Sequence, residues 1–134
     1  MISDYQQLPA VISGIAAATE TVAIANVLDS GAGGNYPQGR VIRGYLNVTG
    51  VGTSTTVVIK CRQGTTVAGT QVGVSQTVTL TVSGTMVLPF SFQDNSAAGA
   101  SAYCVTVTFT AGAGNAINDG ALEIYAPEPY GSAV

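Results

Sequence analysis

Residues 74–92 read VSQTVTLTVSGTMVLPFSF, and this stretch decides the fold class. Val74, Gln76, Val78, Leu80 and Val82 alternate with Ser75, Thr77, Thr79, Thr81 and Ser83. A period of two marks a strand with one buried face and one wet face. Beyond Ser83-Gly84, the residues Met86, Leu88, Phe90 and Phe92 fall on one side of a second strand. If the two arms pair as a hairpin, a loop of Ser83-Gly84-Thr85 sets Val82 opposite Met86, Leu80 opposite Leu88 and Val78 opposite Phe90. An even loop would set apolar opposite polar. Pro89 has no N–H to give a ladder, so the second arm is expected at a sheet edge or a bulge.

The rest of the composition agrees with a β-protein. The chain has 134 residues, enough for one domain with a single core. Only 8% of the residues are charged and 46% are hydrophobic, which argues against disorder. So little charge protects poorly against self-association, so much of the surface is expected to be covered by neighbours. The net charge of −3 argues against nucleic-acid binding, which needs a basic patch. The apolar runs are too short to span a membrane as a helix. The opening MISDYQQLPAV carries an acid and no basic residue, and does not read as a secretory signal. Cys61 has the buried parity of its strand and Cys104 the wet parity, so two free thiols are expected.

Taken in order, residues 1–7 look like an N-terminal arm, and Leu8 to Ile15 a short strand with Pro9 near its start. Thr19 to Leu28 reads as a strand; a helix over Ala16 to Ala25 is the alternative, disfavoured by Thr19, Thr21, Val22 and Ile24. Asp29 to Gly39 is the longest loop, with Tyr36 as a contact residue. Strands follow over Arg40–Thr49, Ser54–Arg62 and, more weakly, Thr65–Val72. After the opening stretch come an Asx-type turn at Asp94-Asn95, a strand over Ala102–Thr110 and a last strand over Ala121–Ala126. Asn118-Asp119-Gly120 reads as turn chemistry. Pro127 and Pro129 make residues 127–134 an extended tail. The expected fold is all-β: a single two-sheet antiparallel β-sandwich over residues 8–126, jelly-roll-like, with eight or nine strands. An immunoglobulin-like sandwich lacks its Trp landmark, and an eight-stranded barrel is the structural alternative.

The sequence carries no catalytic inventory. It has no histidine, which removes the usual nucleophile–base systems and His zinc sites. Two cysteines on opposite faces make no zinc site, and no phosphate-binding glycine motif is present. Glu123 and Glu128 are the nearest carboxylate pair and read as solvated charges. No enzyme, cofactor or metal is expected. The four basic residues, Arg40, Arg43, Lys60 and Arg62, lie between positions 40 and 62, and the last three share the outward parity of two strands expected to be neighbours. They read first as ordinary solubilising charge, and alternatively as a basic stripe suited to an acidic protein surface.

In style the chain resembles the small jelly-roll virion proteins of tailed phages, the capsid decoration or cement proteins. The resemblance covers the whole chain through its helix-poor sandwich, its scarcity of charge and its extended ends. It implies a virion protein, assembled in a host cytoplasm, that binds capsid subunits across their seams as a homo-oligomer, a symmetric trimer first. Asp4, Tyr5 and Leu8 at one end, and Tyr125, Pro127, Pro129 and Tyr130 at the other, are the expected clasps. Both end segments are expected to be dispensable for folding. Two other readings stand beside this one. A carbohydrate- or receptor-binding module would use Tyr36 and Tyr45 as its platform, and a single jelly-roll capsid protein would want a basic arm that is missing before Arg40.

Overall fold

The computed structural model describes residues 2–27, 39–51, 55–80, 84–96, 100 and 102–126. They form nine strands: β1 Ile2–Gln7, β2 Ile12–Ile15, β3 Thr21–Val27, β4 Arg40–Gly50, β5 Thr55–Gln63, β6 Gln71–Leu80, β7 Gly84–Asp94, β8 Ala102–Phe109 and β9 Asn115–Ala126. One sheet has the order β1-β9-β4-β7, and the other β3-β8-β5-β6. Every pairing is antiparallel. Apart from β1–β2 and the β5–β6 hairpin, consecutive strands lie in opposite sheets, and these two orders are those of the jelly roll. The expected fold class is the observed one.

Eight or nine strands turn out to be the same count read two ways. β1 pairs with Ala121–Ala126 of β9, and β2 pairs with Ile117 and Asn115 of the same strand. They are one edge strand interrupted near Pro9, where Leu8 N–H still donates to the Gly120 carbonyl at 2.9 Å. The segment expected to be a dispensable arm is therefore laddered into the sheet over Ile2–Gln7.

The hairpin expected across residues 74–92 does not form. β6 pairs with β5, placing Val78 opposite Val57 and Leu80 opposite Thr55. β7 pairs with β4 in the other sheet, with Leu88 opposite Leu46 and Phe90 opposite Gly44. The apolar parity is kept, since Leu80, Leu88, Phe90 and Phe92 are all buried. Two arms facing each other from opposite sheets bury both apolar sets in one core, which a flat hairpin would leave to find another cover. Pro89 does sit on an edge strand, as its missing N–H requires.

Other local expectations shift for similar reasons. Thr65–Val72 is mostly turn, and β6 starts only at Gln71. Between Ile59 and Cys61 the β5 register advances from Gln76 to Val72, so β6 holds extra residues there. Gly73, at φ +67°, opens that bulge and turns Val74 outward at 83% exposure. Asn118-Asp119-Gly120 lies inside β9, where a register shift beside Asn47 and Val48 marks a bulge rather than a turn. The Asx turn at Asp94 is present, with Ser96 N–H donating to Asp94 Oδ1 at 2.9 Å.

The core lies between the sheets. Ile42, Leu46, Leu122 and Ile124 face Ile24, Val57, Ile59, Val105 and Phe109 across it. Cys61 belongs to this core, while Cys104 is buried beneath the β5–β6 connection, its thiol 3.7 Å from the Thr66 carbonyl. Both are free thiols, and burial raises the pKa of each. At one end of the sandwich, Asp94 accepts from the Tyr103 hydroxyl and, at 3.0 Å, from the Gln63 amide. Arg40 donates to the Tyr103 oxygen at 3.2 Å and to the Ala100 carbonyl. Burial works to raise the Asp94 carboxyl, but its bonds from Ser96, Tyr103 and Gln63 hold it below the usual value. Arg40 is thus a buried strut, and takes no part in an exposed basic stripe.

Candidate functional site

Among the described residues, the outer face of the β1-β9-β4-β7 sheet brings Tyr5, Tyr45, Arg43 and Glu123 around one hollow. Register puts Tyr5, Glu123, Arg43 and Ser91 in one row across the four strands. The next row is Gln7, Ala121, Tyr45 and Pro89. On a pleated sheet residues in such rows share a face, so each row is a line of neighbours. Ala121 contributes only a methyl, and the gap between its larger neighbours is a shallow groove of about 600 Å³ lined also by Gly44. Tyr5 and Tyr45 stand beside it, and Phe90 is among its lining residues.

Gly44 is required by close approach rather than by backbone conformation. A Cβ at this position would lie 1.9 Å from the Ala121 carbonyl oxygen and 3.0 Å from the Phe90 ring. Arg43 is held from two sides. Its Nε and Nη2 donate to Glu123 Oε1 at 3.0 and 2.8 Å, and its guanidinium lies 5.5 Å from the Tyr125 ring centre. The Tyr45 hydroxyl donates to Asp119 Oδ2 at 3.2 Å, and that negative charge pushes the phenol pKa up. The face is therefore aromatic and polar, with Arg43 and Glu123 paired and the Asp119 carboxylate held by the Tyr45 hydroxyl.

The basic stripe does not exist. β4 and β5 are consecutive but lie in different sheets, so Arg43 projects from one outer face and Lys60 and Arg62 from the other. There Glu20 accepts from Arg62 at 2.6 and 2.9 Å and from the Thr106 hydroxyl at 2.8 Å, with Lys60 3.9 Å away. The Arg62 bonds hold the Glu20 carboxyl down to about 2, against the opposing effect of burial. Arg62 also donates to the Gly69 carbonyl at 2.9 Å, tying down the connection that covers Cys104. These charges are spent inside the chain.

Among the expected clasps, Tyr5 and Tyr125 fall on the grooved face. Asp4 is the β1 residue opposite Ile124, and Leu8 packs against the core. Tyr36, Pro127, Pro129 and Tyr130 lie outside the described residues. Sequence reasoning missed Glu123 and Glu20 as partners of the arginines. Glu123 shares parity with Tyr125 in the last strand, which was the available signal; Glu20 lies before its strand and gave none.

No family model matches the sequence, and no curated protein does. Solved structures do. A chain of infectious bursal disease virus, Gx strain, superposes with a TM-score of 0.58 at 13% identity, covering 96% of this chain and 32% of that one. The VP2 subviral particle of the same virus gives 0.54 at 12% identity, covering 91% of this chain and 32% of that one. The likeness is one of fold: this chain's two-sheet jelly roll is similar to a domain of those virus chains. This chain spans about a third of the length of the virus chains it matches.

Proposed function

We propose that the protein is a non-enzymatic structural component of a virus particle. More finely, it is a decoration protein that binds across seams between capsid subunits and stabilises the shell. The observation that carries this reading is the jelly-roll strand order running through nearly the whole chain and matching viral-particle chains over 96% of its length. A scarcity of charge and a sheet face bearing tyrosines beside an arginine add to it, because Tyr and Arg are favoured at protein interfaces. A protein of this kind works by mass action. Bound only to the assembled shell, it lowers the free energy of that state.

Light scattering on the purified chain, followed by electron microscopy, tests the reading. A small oligomer, expected at three times the 13.4 kDa chain mass, that sediments with preformed shells supports decoration. Closed shells formed by the chain alone would replace it with a single jelly-roll capsid protein.

A further inference from the structure

The groove on the outer sheet face has the shape and polar rim of a small-ligand site as well as the tyrosines of a protein contact. We propose that the hollow flanked by Tyr5 and Tyr45 is a binding subsite for a neutral saccharide. The inference rests on the groove and is independent of the decoration reading.

Three features select this ligand class. First, the charges at the groove cancel: Arg43 and Glu123 are paired at 2.8 Å, so a strongly anionic or cationic ligand would have to break the pair. Second, two tyrosines flank the hollow, Tyr5 with 62% of its surface exposed. Tyr5 on β1 and Tyr45 on β4 are separated by β9, about 10 Å laterally at ordinary strand spacing. The small side chain of Ala121 lies on the strand between them, leaving room for a ligand ring. Aromatic faces are electron-rich and attract C–H edges such as those on one side of a pyranose. Third, the rim offers donors and acceptors together in the guanidinium, the Glu123 carboxylate and the Ser91 hydroxyl. Saccharide hydroxyls do both, whereas a purely apolar ligand would desolvate the Arg43–Glu123 pair and the Ser91 hydroxyl and offer no bond in return. A volume of about 600 Å³ is in the usual range for small-ligand sites, and the shallow form suits a chain that passes through.

The test begins with a glycan array carrying neutral and acidic glycans, followed by calorimetry on the strongest neutral hit. Tyr5→Ala removes a mostly exposed ring, and thermal melting checks that each variant is folded. Neutral oligosaccharide binding is expected, weakened roughly tenfold or more by Tyr5→Ala and by Tyr45→Ala. Tyr45→Phe keeps the ring and is expected to retain affinity within about threefold. Three results would overturn the proposal: no neutral oligosaccharide bound at about 10 mM by saturation-transfer NMR, binding confined to acidic glycans, or affinity unchanged in both alanine variants. A change of oligomer size in Tyr5→Ala with a blank array would also overturn it, and would make the face a protein contact.

Discussion

Glu20 is a single carboxylate that joins three parts of one sheet, bonding Arg62 of β5 and Thr106 of β8 just ahead of β3. Its pKa falls from 4.5 to about 2 on folding, so the folded state binds its proton less tightly than the unfolded chain. The contribution is complete above the unfolded pKa and disappears as pH falls from about 4.5 to about 2. At neutral pH the shift amounts to about 3 kcal/mol. Glu20→Gln should therefore lower the urea midpoint at pH 7 and flatten the acid limb of stability against pH; equal acid limbs in the two proteins would contradict it. Gly44 makes the opposite kind of demand, for empty space. Gly44→Ala forces a methyl into the Ala121 carbonyl, so the cost should reach the upper part of the 1–3 kcal/mol range, about 3 kcal/mol, seen for overpacked sites. A denaturant melt measures it, and a loss under about 0.5 kcal/mol would mean that β4 and β9 separate easily here.

At the scale of strands, β4, β9, β5 and β8 have ladder partners on both sides, whereas β6, β7 and β3 lie at sheet edges. Amide hydrogen exchange should therefore be slowest in the four central strands and fast at the outward amides of β6 and β7. NMR contacts should place Val78 beside Val57 and Phe90 beside Gly44. Backbone contacts between Val78 and Phe90 would restore the hairpin and refute the sheet order. That pair also measures what the sequence made legible. Alternation told which side of each strand is apolar, and Ile42, Leu46, Val48, Val57, Ile59 and Cys61 are all buried as that parity requires. Parity is blind to which sheet a strand joins, because inward residues stay inward whether two strands pair or face each other. The arginines were misplaced by the same blindness, since a shared outward parity on β4 and β5 meant opposite outer faces. Tyr45 and Tyr125 were readable as outward residues. The hollow between Tyr5 and Tyr45 was not, because it depends on β1 and β4 both flanking β9, and the β1 partners are more than a hundred residues apart in the chain.

For the molecule as a whole, the two ends must be treated differently although both were expected to be arms. β1 runs the length of Ala121–Ala126, so Ile2–Gln7 complete a ladder on β9. Their removal strips several hydrogen bonds, each contributing about 1 kcal/mol net, and turns β9 into an exposed edge. It also removes Tyr5 from the groove. Deleting residues 1–7 should therefore lower the melting temperature markedly and confound any binding assay. Residues 127–134 carry Pro127, Pro129 and Tyr130, and two prolines so close together are poorly suited to extending the β9 ladder. If this segment is the clasp onto a shell, a chain ending at Ala126 should melt within a few degrees of the full protein and keep its oligomer size, yet fail to sediment with shells. Co-sedimentation of the truncated and full chains at matched concentration decides it. Undiminished occupancy by the truncated chain would remove the tail from the interface and leave the grooved sheet face as the contact to test next.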